Sequence, residues 1–112
     1  MIDLRAQTKQ YLAAFSRKDV AGLGAMFAEG VVLRDWDVGT VSGKPAVLAA
    51  NEKIFASVKS IEARPVAIHI AGQTAVAELE IHVDGKLALL VADVIDFDTD
   101  GLITAVRAYR GT

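Results

Sequence analysis

From Asp3 to Ser16, the apolar residues Leu4, Tyr11, Leu12 and Phe15 recur at helical spacing, with Arg5, Gln7, Lys9 and Gln10 between them. That period predicts an amphipathic first helix. Asp19 stands where an N-cap would open a shorter second helix ending near Ala28, with Leu23, Met26 and Phe27 as its stripe. Gly22 and Gly24 weaken that helix by about 1 kcal/mol each relative to alanine, which points to close packing there. At Val31 the period shortens, and Val31 to Trp36 reads as a strand. Gly39 and Gly43 mark turns around a short second strand. Ser42 is placed to cap a third helix over about Lys44 to Val58, with Pro45 in the first turn. Its predicted buried positions are Val47, Leu48, Ile54, Phe55 and Val58.

The remainder is rich in β-formers. Runs over Ile61 to Ile70, Thr74 to Val83, Lys86 to Phe97 and Leu102 to Tyr109 are separated by Gly72, Asp84-Gly85 and Asp100-Gly101. Asp-Gly between such runs is a hairpin signature. Helix, helix, strand, strand, helix and four strands in that order predict an α+β domain over residues 1–112. Its sheet is expected to be curved and mainly antiparallel, with the helices packed on one face.

Composition sharpens this picture. The 112 residues are 53% hydrophobic, more than one small core needs. A membrane span does not explain the excess, because no uncharged run approaches the roughly 20 apolar residues that cross a bilayer. The start of the chain carries no apolar core of a leader peptide, so a cytoplasmic domain is expected. An apolar ligand pocket or a subunit interface remains as a destination for the excess. With 12 basic and 14 acidic residues, no basic face is implied and nucleic acid is not expected as a partner. The absence of cysteine excludes disulfides and thiolate chemistry.

Three polar residues interrupt apolar rows. Alternation puts Val31, Leu33 and Asp35 on one face of the first strand, and Val32, Arg34 and Trp36 on the other. Trp36 is therefore expected against a helix or a partner subunit. Leu89, Val91, Asp93, Ile95 and Phe97 form a second row, with Asp93 in its middle. An unpaired ionised carboxylate there would cost several kcal/mol, so a protonated Asp93 is expected. Tyr11 lies on the apolar stripe of the first helix. A tyrosine hydroxyl, a protonated acid and an ionised acid together make a proton-transfer site. Glu78, Glu80 and His82 share a strand face, which reads as solvated rather than metal-binding. His69 has no sequence partner.

The chain resembles the nuclear-transport-factor-like superfamily, and within it the ketosteroid isomerase and SnoaL-like polyketide cyclase branch. The resemblance rests on Tyr11-Leu12-Ala13-Ala14-Phe15 through Asp19, on Ala25-Met26-Phe27-Ala28-Glu29, and on Val31-Val32-Leu33-Arg34-Asp35. Gly43 before the third helix and the closing segments Asp96 to Ile103 and Arg107-Ala108-Tyr109 complete it. It implies a cone, or cystatin-like roll, in which the sheet wraps around about three helices and an apolar pocket opens at one end. It also implies a homodimer through the outer sheet face.

By the same resemblance, Tyr11 and protonated Asp93 would form an oxyanion hole and Asp35 would be the base. Phe15, Phe27, Leu33, Asn51, Phe55, Val91 and Ile95 would contact a small apolar, carbonyl-containing ligand, with no cofactor and no metal. Two departures stand out. Phe27 and Asn51 occupy positions where some of these isomerases carry supporting tyrosines, and Trp36 follows the base where proline is common. Beside an isomerase or cyclase, a non-catalytic ligand-binding or dimerisation module fits the same residues. Epoxide hydrolysis, which would need an arginine beside the acids, fits less well because Arg34 alternates away from Asp35.

Overall fold

The structure, a computed structural model, describes residues 2–112. Helix α1 spans Leu4–Ser16 and is opened by Asp3, whose side chain accepts from the Ala6 N–H. Helix α2 spans Val20–Met26, and the Asp19 carboxylate caps it at the Gly22 N–H (2.9 Å). The Asp19 carboxylate occupies the space that a Cβ on Gly22 would need. Gly24 instead admits a Leu48 methyl of the third helix.

Strand β1 begins directly at Phe27 and runs to Asp35. The expected helix to Ala28 and strand from Val31 are thus both revised. Phe27 takes an extended backbone and pairs with Ile103, so its fully buried ring belongs to the sheet rather than to the α2 stripe. Strand β2 is Gly39–Ser42, and helix α3 is Lys44–Ala56. Ser42 does not cap α3. It ends β2, and Gly43, at φ 91°, takes the N-cap position with no side-chain bond.

Strands β3 (Ile61–Ala71), β4 (Thr74–Val83), β5 (Lys86–Phe97) and β6 (Ile103–Arg110) complete a six-stranded sheet of order β2-β1-β6-β5-β4-β3. All neighbours are antiparallel except β1 and β6, which run parallel. Register breaks at Pro65/Ala67, Ile81/His82 and Asp96/Phe97 bend the long strands, as β-bulges do. The three helices lie against this curved sheet, α1 on β3 and β4 and α3 on β1 and β2. One end is filled by Leu23, Phe27, Val31, Ala75, Ile95 and Ile103, each almost wholly buried.

The turn joining β4 to β5 also holds the connection between α3 and β3. Asp84 and Gly85 both adopt positive φ (51° and 84°), the conformation that Asp-Gly hairpin turns require. From there one Asp84 carboxylate oxygen accepts from the Lys59 and Ser60 N–H groups, each at 3.0 Å. Two such bonds at the surface are worth about 1–2 kcal/mol together. Asp84→Ala is therefore expected to lower unfolding stability by about that amount, and Asp84→Asn, which tolerates positive φ and keeps an acceptor, by less. Urea unfolding checks this, and an unchanged midpoint for Asp84→Ala would remove the turn from the account.

Candidate functional site

The end of the cone opposite the packed core is hollow. A cavity of about 310 Å³ opens between the inner face of the sheet, α1 and α3. Helix α1 contributes Tyr11 and Phe15. Helix α3 and the turn after it contribute Asn51, Ile54 and Val58, a stripe at helical spacing. The sheet supplies Leu33, Leu79, Ile81, Val91 and Val106, and the small Ala63 and Ala108 leave room between them. The walls are mostly apolar, and carboxyls come from Asp35, Asp37 and Asp93.

Asp93 lies where the hollow meets the solid core. Along β5, Leu89, Val91 and Asp93 face the cavity, while Ile95 and Phe97 on the same row are sealed in the core. Its cross-strand partners are Ala77 on β4 and Ala108 on β6, two side chains too short to cover it. Asp93 is only 8% exposed, and its carboxyl makes no hydrogen bond or ion pair among the described residues. Burial, reinforced by the nearby negative charge of Asp35, pushes it up to about 7. At neutral pH a substantial share of Asp93 is therefore a carboxylic acid, able to donate a hydrogen bond.

The Tyr11 hydroxyl reaches the same cavity and is likewise without a protein partner among the described residues. Burial holds its proton on well above the ordinary phenol range, and the Asp93 carboxyl adds to the effect. Its ring leans on Phe27, with centroids 6.1 Å apart, so Phe27 backs the tyrosine from the core side.

Asp35 ends β1 and is fixed by the turn that follows. One carboxylate oxygen accepts from the Asp37 N–H (2.8 Å) and the Val38 N–H (2.7 Å). That Asx-type turn clamps the side chain and leaves its other oxygen free of such bonds. Arg34 points to the far side of the sheet, where it donates to the Tyr109 hydroxyl (3.3 Å). No arginine lines the cavity.

The cavity thus brings together Tyr11, Asp35 and Asp93 with Phe15, Leu33, Asn51 and Val91. It does not take in Phe27, Phe55 or Ile95, the other expected contacts. Phe27 stands behind Tyr11, and Phe55 packs edge-on against Phe15 at 5.2 Å. Ile95 lies one step deeper than Asp93, at 0% exposure. Trp36 is also corrected. Alternation would send it to the outer face, but β1 stops at Asp35, and Trp36 sits half-exposed on the cavity rim beside Asp37. Ile54 and Val58 were legible only as core positions, and the alanines carried no sequence signal.

Asn51 is buried and donates to the Val47 carbonyl within its own helix (2.9 Å), so it supplies no hydroxyl to Tyr11. Outside the cavity, Glu78 and Glu80 pair separately with His69 (2.8 Å) and His82 (3.0 Å) rather than converging.

Comparison with known proteins agrees with this architecture. Among curated proteins, none matches by sequence. A SnoaL-like protein of unknown function from Burkholderia thailandensis superposes with a TM-score of 0.86 and 14% identity, over 97% of this chain and 95% of its own. A candidate polyketide cyclase from Sinorhizobium meliloti gives 0.82 at 18% identity, over 96% and 100%. A candidate ketosteroid isomerase from Kribbella flavida gives 0.82 at 15% identity, over 97% of this chain and 78% of its own. At these identities the likeness is one of fold. The family model for the SnoaL-like domain matches residues 8–106, from the second turn of α1 into β6, and the chain belongs to that family.

Proposed function

We propose that the cavity carries out cofactor-free proton transfer next to a carbonyl of a small apolar substrate. The observation that supports this most is the pair of unpartnered, buried hydroxyl-bearing groups, Tyr11 and Asp93, lining one apolar cavity with the clamped carboxylate of Asp35. In this reading the substrate carbonyl oxygen accepts from the Tyr11 O–H and from the protonated Asp93. The free oxygen of Asp35 removes a proton from the adjacent carbon, and the electron pair moves onto the carbonyl oxygen. Donors set in place in a dry site stabilise that enolate without reorganisation. Asp35 then returns the proton at another carbon, an isomerisation. Alternatively, in a cyclisation, the enolate carbon attacks a second carbonyl, whose π electrons pass to its oxygen, and that alkoxide takes the proton back from Asp35.

A second reading, ligand binding without turnover, draws support from Asp35 itself. One of its oxygens is already engaged by two backbone N–H groups, as a purely structural turn acid would be. A naphthol probe separates the readings, because it resembles an enolate. Preferential binding of its ionised form supports the oxyanion hole, whereas indifference to ionisation supports simple apolar burial.

Deuterium exchange at the acidic carbon of 2-tetralone, followed by proton NMR, measures the chemistry directly. Asp35→Asn is expected to slow exchange by about a hundredfold or more with the fold intact. Exchange at the wild-type rate in that variant, or none above buffer in the wild type, would overturn the proposal.

Protonated Asp93 also has a signature in stability. The folded state keeps this proton up to about 7, whereas the unfolded chain releases it near 3.8. Between those values the folded state binds more protons, so stability falls as pH rises. Below that window the penalty is absent, and above it the penalty is complete. Asp93→Asn is expected to flatten this slope, leaving it more stable than wild type by about 2–4 kcal/mol near pH 8 and little changed near pH 4. Urea unfolding at both pH values checks this, and parallel pH profiles would contradict a raised Asp93.

A further inference from the structure

The cavity has acids and no cation in its lining. Asp35 and Asp37 face it together with the proton-holding Asp93, and no lysine, arginine or histidine does. None of the three acids joins an ion pair among the described residues. Lys18, from the end of α1, is turned onto the carbonyls of Val58 (2.7 Å) and Lys59 (3.0 Å). Arg34 is committed to Tyr109 on the opposite face. Asp37 donates its backbone N–H to Asp35, and its own carboxylate is without a hydrogen bond among the described residues.

Acidic residues at a mouth would by themselves signify only a solvated rim. The carboxyl of Asp93 adds an independent observation, since it is more than nine-tenths buried, has no partner among the described residues and lies on the cavity wall. The carboxylates of Asp35 and Asp37, uncompensated beside apolar walls, focus a negative potential at the cavity entrance, whereas protonated Asp93 marks the ligand end of the same cavity. Carboxylates, phosphates and coenzyme thioesters would enter against that field. An ammonium group would enter with it, and the Trp36 indole between two aspartates offers a face that attracts cations.

We infer that the ligand carries a protonated amine: an apolar, carbonyl-bearing body fills the cavity, and its ammonium stays at the mouth against Asp37 and Trp36. This rests on the reading of the cavity as a ligand site given above, and names the class of molecule it selects.

Three probes with one bicyclic body test it by calorimetry near pH 7.5 at low salt: 2-naphthylmethylammonium, 2-naphthalenemethanol and 2-naphthoate. The ammonium is expected to bind about fivefold or more tighter than the alcohol, and the carboxylate weaker than the alcohol by a similar factor. The ammonium-to-alcohol ratio is expected to fall toward one in Asp37→Asn and in about 0.5 M salt. Equal affinities, or a preference for the carboxylate, would overturn the charge selection while leaving the cavity as a ligand site. Binding of none of the three would overturn the ligand site and the charge selection with it.

Discussion

A carboxyl group held without a partner against an apolar cavity is costly in its charged form, and that cost organises the site. Asp93 cannot be covered by its strand neighbours, because Ala77 and Ala108 are too short. The acid is buried enough to favour its proton, yet open enough on one side to meet a ligand. Both properties follow from one position on β5. Further along the same face Ile95 is sealed in the core, and nearer the start of the strand Leu89 is more exposed.

The surrounding fold maintains that position. The bulges in the long strands curve the sheet; side chains pack one end of the resulting cone solidly, and α1 and α3 leave a cavity against the sheet at the other. Tyr11 is braced from behind by Phe27, and Phe15 by Phe55, so the aromatic residues divide into those that face the cavity and those that hold them in place. Asp35 is clamped by the turn it begins. The two acids are therefore set apart by environment. One is dry and bonded to nothing, and the other is partly exposed and fixed by backbone donors, which is the division that general acid and base roles need.

Much of this was legible in the residues. The interrupted rows at Asp35 and Asp93 marked the strand faces, because side-chain direction alternates strictly within a strand. The Asp84-Gly85 and Asp100-Gly101 pairs marked turns, and Gly85 and Gly101 both take positive φ there. What was not legible depended on where elements stop. Phe27 fits both a helical stripe and a strand row, and its extended backbone and pairing with Ile103 decide for the strand. Trp36 was misplaced because alternation was carried one residue past the end of β1. Ile95 was misplaced for a different reason. Periodicity assigns a face but not a depth, and Ile95 shares the face of Asp93 while lying in the packed core beyond the cavity.

The protonation of Asp93 is the claim on which the rest turns, and it can be measured at the atom concerned. Carbon NMR of protein labelled at the aspartate carboxyls, assigned through Asp93→Asn and titrated with pH, reads it directly. The Asp93 carboxyl is expected to titrate near 7, and Asp35→Asn to move this downward by removing a neighbouring negative charge. An Asp93 that titrates close to 3.8, as an ordinary solvated aspartate does, would contradict it.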